Sequence, residues 1–560
     1  MRKFLFVMDN LSRLKYYPWA IMKTKNVIPP LLFALFPVLA LLSNNIHQVQ
    51  IVDALRSLAI SFSIGLITFG MCFLLFREIN KAALTASFFL ILFFSYGHIY
   101  ESLKTWFPDL AYLVRHRYLL PLFRFFILTW FMLVWKVFKD TIILNQIANL
   151  VAFILLIFPL FTILKEEFFV PSLLNDEEQI RQQLKNIPPA EGDVDYPDIY
   201  YIILDGYGRS DVLRQLYGCD NSDFITKLEK LGFYIADGST SNYNQTVLSL
   251  ASTLNMEYLN YLVDILGEGH KSYDVQSEML HHSEVRRILK AFGYDFVSFA
   301  SNYPPTEIKD ADYYWSLGEQ LVESETFAML YGWSLNNFES LLATTTFIRA
   351  FIDLNSIDQD AFYDQIIGYQ YIRHINAIYQ SLFSLDEVSA LDGPQFTFAH
   401  IISSHPPFVL NSNGELSIPS RPYALSDGSD FEGSEGDYIA GYCQQMHYVN
   451  KIIPATVDRI LANSDHDPII IIQGDHGPGA YLDWNSPENS NLIERMGILN
   501  AYHMPESIGA FLYSSITPVN SFRVILKHYF NFEIELIEDL NYFSSKKYPF
   551  QFHDITLEVQ

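Results

Sequence analysis

Hydrophobic and polar positions divide this chain into two parts with different patterns. Long apolar runs stand near residues 27–43, 57–76, 83–100, 118–138 and 143–164. Each is about the length that crosses a bilayer as a helix, roughly 17–25 residues. The run LVAFILLIFPLFTIL carries no charge and is apolar on every face. A buried soluble helix can look like this once, but five in succession predict membrane spans. A cleaved signal peptide does not fit, because the apolar runs repeat. Further along, the runs shorten and alternate. DIYYIILDGYG reads as a strand ending at Asp205-Gly206. SDFITKLEKLGFYIADGS reads as a helix opened by Ser222 and closed by Gly232, then a strand. SEVRRILKAFGYDFVSFAS repeats that plan with Ser283 as cap and Gly293 as stop. QFTFAHIISSHPPF predicts another strand, YIAGYCQQMHYVNKIIPATVDRILANS a long amphipathic helix bent or broken at Pro454, and DPIIIIQGDHG a further strand. Continuous apolar strands separated by helices predict an α/β fold with a mostly parallel sheet covered on both faces. The pattern is weaker over 303–394, where SIDQDAFYDQIIGYQYIRHINAIYQSLFSL reads as helical. The expected organisation is a transmembrane region of about five helices over 1–164, an amphipathic segment and linker over 165–197, and an outer domain over 198–560.

Charge sharpens this division. The 560 residues carry a formal charge of −25, with 15 Lys+Arg and 6 Asp+Glu in 1–164 against 22 and 56 in 165–560. The first part is therefore about +9 and the second about −34. So acidic an outer part excludes nucleic acid as a partner, since phosphate contacts need Lys and Arg. With five spans and the N-terminus inside, the inner segments hold Arg2, Lys3, Arg13, Lys15, Lys23, Lys25, Arg77, Lys81, Lys136 and Lys139. The outer loops hold Arg56, Lys104, Arg115 and Arg117. This follows the positive-inside rule and places the second part outside the cytoplasm. Without the first run, which opens on Pro29 and Pro30, the parity reverses and the loop charges fit worse. Three cysteines (Cys72, Cys219, Cys443) with no CxxC suggest neither a disulfide framework nor a zinc knuckle.

In open α/β sheets, ligands bind at the carboxyl ends of the strands. Three strand ends carry polar residues here. The strand 199–204 delivers Asp205, the strand 469–473 delivers Asp475 and His476, and the strand 395–402 delivers His405. Two carboxylates and an imidazole make a divalent-metal donor set. Glycines 206, 474 and 477 permit tight turns and close approach. Taken singly, DG is a turn and DHG a loop; three strand ends with one logic say more. The stretch SNYNQTVLSLASTLNM, residues 241–256, adds the hydroxyls of Thr246, Ser249, Ser252 and Thr253. Thr246 reads either as a helix N-cap or as a nucleophile in the positive field of a helix N-terminus, where a phosphate also binds.

The order LDGYG, QTVLSLAS, SSHPPF, GDHG resembles the alkaline phosphatase superfamily, in its sulfatase-like branch of membrane-anchored transferases, which includes lipoteichoic acid synthases and phosphoethanolamine transferases. The resemblance covers nearly the whole chain in layout, and its specific motifs cover about 40 residues. It implies an alkaline phosphatase-like α/β/α domain outside a bacterial plasma membrane and one divalent ion, manganese or zinc, with magnesium as a third option. Asp205, Thr246, Asp475 and His476 would hold the ion, Thr246 would be the nucleophile, and His405 would meet the transferred phosphate or its leaving oxygen. Asp205 stands where these transferases more often carry Glu. The implied reaction moves a phosphoglycerol- or phosphoethanolamine-type group from a phospholipid donor to a cell-surface glycan or lipid through a phosphothreonine intermediate. The alternatives are a membrane-anchored phosphodiesterase or phosphatase, and an inactive scaffold. No C/S-x-P-x-R sequence surrounds Thr246, so a formylglycine sulfatase is not expected. PGAYLDWNSPEN after DHG departs from the family, and no second phosphate-contacting histidine is placed. His503 is available for it but reads as structural, and Arg495 could meet an anionic substrate but reads as a surface or ion-paired arginine.

Overall fold

The structure, a computed structural model, describes residues 28–46, 51–107, 114–138, 141–168, 196–316, 337–354, 359–419 and 423–559. The chain forms two compact units. One comprises residues 1–168 together with 335–362, and the other residues 169–334 and 363–560. The expected linker falls mostly outside the described residues.

All five apolar runs are helices: α1 Pro29–Asn44, α2 Ile51–Phe76, α3 Ile79–Trp106, α4 His116–Met132 and α5 Thr141–Phe168. Among the described residues, four spans of 22 to 26 residues are long and apolar enough to cross a membrane; α4 reaches that length by running on in a wider helical turn to Val137. The expected fifth, α1, is apolar but has 16 residues, about 24 Å at 1.5 Å per residue. Large apolar side chains such as Met71, Leu74, Phe158 and Phe161 are exposed on the spans. In water they would oppose folding, and in lipid they do not. The chain is an integral membrane protein.

The second unit is an α/β domain. In chain order it contains β1 (Ile199–Leu204), β2 (Tyr234–Ile235), helix α6 (Thr246–Asn255), β3 (Asp295–Phe299), β4 (Tyr313–Trp315), β5 (Gln395–Ile401), helix α7 (Glu435–Asn463), β6 (Ile469–Gln473), β7 (Asn500–His503) and the hairpin β8–β9 (Tyr542–Ser545, Tyr548–Asp554). The seven strands of the main sheet lie in the order β2-β7-β6-β1-β5-β3-β4. β6, β1, β5, β3 and β4 are parallel, and β7 runs antiparallel to its neighbours β6 and β2. The strand period of two decides the layers. Ile199, Tyr201 and Ile203 enter a core with α6 and helix Pro518–His528, whereas Tyr200, Ile202 and Leu204 enter the opposite core with α7 and helix Gln359–Ser384. This is why β1 reads as an unbroken apolar run.

Local signals are mostly obeyed. The Ser283 side chain accepts from the Arg286 N–H, and Gly232 and Gly293 stop their helices at positive φ. Two differ. Asn221, not Ser222, is the cap residue of helix Ser222–Lys230. α7 runs unbroken through Pro454, which is buried. Cysteine is the larger correction: Cys219 and Cys443, 224 residues apart, form a disulfide that the spacing gave no reason to expect. Non-reducing peptide mapping should recover the linked Cys219–Cys443 peptides. Cys219→Ser with Cys443→Ser should lower the stability of the outer unit by about 2–4 kcal/mol, read from denaturant midpoints.

Candidate active site

Parallel pairing puts β1 between β6 and β5 in register, with Ile203 opposite Gln473 on one side and Leu204 opposite Ile401 on the other. Their carboxyl ends therefore coincide, and the residues just beyond them meet. Gly206 adopts φ +71°, turning the chain so that its N–H donates to the Asp475 carboxylate at 3.0 Å. Ligating atoms of Asp205, Asp475 and His476 lie within 4.8 Å of one another, all three residues buried. One carboxylate oxygen of Asp205 and one of Asp475 are buried without a hydrogen-bond partner. Such oxygens are costly unless something cationic meets them. The His476 Nδ1–H donates to the Gly477 carbonyl at 2.9 Å. That leaves the Nε2 lone pair facing Asp475 at 3.4 Å and Asp205 at 3.6 Å. Burial, then the Arg495 charge, lower the His476 pKa and keep the ring neutral, as a metal ligand requires. The donor set of two oxygens and one nitrogen fits zinc or manganese.

Thr246 presents its hydroxyl to the same point, 3.1 Å from His476 Nε2. It is not the helix cap: Gln245 occupies that position and Thr246 is the first helical residue. Its neighbours' hydroxyls are spent elsewhere. Ser252 donates to the Glu257 carbonyl and Thr253 to the Ser249 carbonyl. Ser249 donates to the Asp475 carbonyl at 2.7 Å, as does Ser241 at 2.6 Å. The T-x-x-S spacing thus pairs a hydroxyl that faces His476 with one that ties α6 to the end of β6.

His405 follows β5 through Ser404, at φ +85°. Its Nδ1–H donates to the Pro406 carbonyl, and Nε2 lies 3.8 Å from Asp427. Burial opposes a charge on this ring, but the Asp205 and Asp427 carboxylates and the Pro406 carbonyl outweigh it and raise its pKa. Burial also opposes charge on Asp205, but the imidazoles of His405, His400 and His476 hold its carboxyl well below the usual range.

His400, Thr306, Asp427 and Ser544 escaped the sequence reading. His400 on β5 is buried and stands 3.3 Å from Asp205 through Nε2 and 2.9 Å from the Thr306 hydroxyl through Nδ1. The Thr306 hydroxyl also reaches Ser301 Oγ at 2.9 Å, so this group fixes the ring beside Asp205. Asp427 accepts from Arg495 at 2.6 Å and from Tyr438 at 2.6 Å. Burial opposes its charge, but Arg495, then His405 and His476, bring it down to about 2. Ser544 on β8 bonds the side chains of Asn244 and Gln245, bracing the turn before Thr246. His400 lay visible inside FAHIISSH; the others are distant in sequence and gave no local signal. Arg495 is ion-paired as expected and buried, donating also to the Asn244 and Gly477 carbonyls. Gly477 has to be glycine, since a Cβ there would fall 2.0 Å from the Glu494 carbonyl. His503 is structural as expected: it ends β7, opposite Ile470 near the start of β6 and away from Asp475, and bonds the Pro468 carbonyl.

Two expectations follow. His400→Ala should weaken divalent-metal affinity about 10- to 100-fold, measured by chelator competition on the purified protein. Glu494 is buried, accepting from Tyr217 and the Tyr481 N–H, and burial raises its carboxyl to about 8. Its protonation stabilises the fold fully below the ordinary 4.5, and that contribution is lost as pH rises through about 8. The thermal midpoint should fall across this window, and less so in Glu494→Gln.

A family model described as Sulfatase matches residues 197–519. No match emerges among curated proteins. Among solved structures, the zinc complex of the C-terminal periplasmic domain of EptC from Escherichia coli matches at 10% identity and TM-score 0.37, covering 66% of this chain and 95% of that one. The integral membrane lipooligosaccharide phosphoethanolamine transferase A of Neisseria meningitidis matches at 11% and 0.35, covering 90% and 95%. The periplasmic domain of the Campylobacter jejuni phosphoethanolamine transferase EptC matches at 13% and 0.34, covering 61% and 92%. At such identities and scores the likeness bears on neither substrate nor mechanism.

Proposed function

Because this chain belongs to the sulfatase family, with more than half its length matched, we propose that it is a metal-dependent phosphoryl-group transferase. It moves a phosphoglycerol- or phosphoethanolamine-type group from a phospholipid donor to a cell-surface glycan or lipid. The observation that carries this reading is the Thr246 hydroxyl at 3.1 Å from His476 Nε2, beside the two unpartnered carboxylate oxygens. A threonine in that place, with no C/S-x-P-x-R around it, suits attack on phosphorus rather than a formylglycine reaction.

Asp205, Asp475, His476 and Thr246 would hold one divalent ion, zinc or manganese. Such an ion, when bound, lowers the pKa of a neighbouring hydroxyl and neutralises charge on the phosphoryl oxygens. Thr246, half-exposed at the start of α6, gives its proton to solvent and attacks phosphorus. The bond to the diacylglycerol oxygen breaks as the Thr246 Oγ1–P bond forms. His405 delivers its Nε2 proton to that leaving oxygen, and the carboxylates that raise its pKa keep it charged for the task. An acceptor hydroxyl then gives its proton to His405 and attacks phosphorus; the Thr246 Oγ1–P bond breaks and the Thr246 oxygen takes a proton back from solvent. The positive end of α6 favours the anionic group throughout. The membrane helices suit a lipid donor. The Cys219–Cys443 disulfide supports an extracytoplasmic outer unit, with the N-terminus cytoplasmic as the loop charges indicate.

Purified full-length protein incubated with phospholipid and manganese or zinc should gain a phosphoglycerol or phosphoethanolamine mass on the peptide bearing Thr246. Thr246→Ala should gain none and lose turnover by at least about 10³-fold. Metal binding without any adduct or transfer product would sink the reading.

A further inference from the structure

Residues 337–354 interrupt the outer domain in sequence, yet they cluster with the membrane helices. They form two short helices, Asn337–Thr345 and Ile348–Leu354, joined by a turn at Thr346–Phe347. We propose that they are a re-entrant hairpin, sent from the outer domain into the membrane helices and fastened there permanently.

The turn lies deepest. The Phe347 N–H donates to the Phe93 carbonyl at 2.7 Å. A Cβ on Gly97 would fall 2.1 Å from the Thr344 carbonyl oxygen and 2.7 Å from Thr345 Cα. Backbone thus rests directly on α3 where only glycine leaves room. Phe93 and Gly97 are 9 to 13 residues short of the α3 end at Trp106, about 14–20 Å along the helix. Irregular backbone at such depth survives only where its polar groups are met by protein. Here they are: Thr344, Thr345 and Thr346 each donate a hydroxyl to the carbonyl three residues back.

The hairpin's charges lie nearer its ends, and each has a partner on a membrane helix or within the hairpin. Arg56 of α2 donates to both oxygens of the buried Glu339. Asp353 bonds His116 of α4 at 2.7 Å, and Arg349 bonds Asp353 at 2.9 Å and Glu101 of α3 at 2.8 Å. Phe338 packs into one apolar cluster with Val38 and Leu42 of α1, Ala54 of α2 and Ile163 of α5. Among its described side chains, those the hairpin leaves exposed are apolar: Leu341, Ile348 and Phe351. An extramembrane helix pair would expose polar residues there; a lipid-facing one exposes these.

The hairpin meets the last turns of α1 and α5, the last half of α3 and the first turns of α2 and α4. These five helix ends therefore lie together. That requires α1 to cross despite its 16 residues, and the hairpin continues in sequence into the outer unit at both of its ends. This conclusion is independent of the reaction.

The test uses the full chain in membrane vesicles, with a specific protease site introduced between 169 and 195. After cleavage and an alkaline wash, the 196–560 fragment should stay with the membranes. Arg56→Glu or Glu339→Arg alone leaves a buried charge unpaired and should raise its release at least about tenfold, while the two together should restore retention. In a Cys72→Ser background, Thr345→Cys should react with a membrane-impermeant maleimide at least about tenfold more slowly than the exposed Glu488→Cys. Release of the unsubstituted fragment overturns the proposal, as does retention unchanged by the single charge reversals, or equal labelling at 345 and 488.

Discussion

Asp475 is the residue on which the candidate site depends. Its carboxylate accepts from the Gly206 N–H, joining the ends of β6 and β1. Its carbonyl accepts from Ser241 and Ser249, joining β6 to α6 and to the turn before it. One residue therefore holds three pieces of chain, from near 205, 245 and 475, at hydrogen-bond distances. Because its second carboxylate oxygen has no partner, these bonds leave it available to a cation. A substitution at Asp475 would remove a candidate metal ligand and the Gly206 contact together.

Around this point the structure holds charge in a nearly dry setting. Arg495 is 1% exposed, and its guanidinium bonds Asp427 and the carbonyls of Asn244 and Gly477. The cation therefore does not wait for an anionic substrate; it fixes the two loops that flank His476. Asp427 in turn faces His405. Opposite charges at short range in low dielectric bias one another's protonation strongly. This arrangement bears on the outer part's large negative charge. In the proposed reaction, attraction for an anionic group would be created locally, by buried imidazoles, a helix N-terminus and a bound cation, while salt screens the acidic surface.

Much of this was legible before the fold was known. β1 and β6 are buried on both faces, so IYYIIL and IIIIQ read as strands, and the polar residues just past them read as a strand-end site. Thr246, Asp205, His405, Asp475 and His476 do converge at one edge. What stayed hidden depends on distance. The pairing of Cys219 with Cys443, the support of Asp205 by His400 and Thr306, and the bracing of Asn244 by Ser544 join segments tens to hundreds of residues apart. Which of four hydroxyls faces His476 could not be read from their spacing, because it depends on the carbonyls the other three meet. The cap assigned to Thr246 shifted by one residue, a displacement local propensity does not resolve.

By itself, the sequence determined the membrane helices, the strand–helix alternation and the residue types at the strand ends. Each of these is a local periodicity, or a local change from apolar to polar, and needs no partner to be read. The tertiary structure decided the rest. It selected Thr246 over its neighbours, placed Arg495 in an ion pair and His503 at the far edge, and assigned 337–354 to the membrane helices. In that last segment apolar and charged residues alternate without a clear period. Its sense appears only when Gly97, Arg56 and His116 supply the space and charges that its backbone and side chains require.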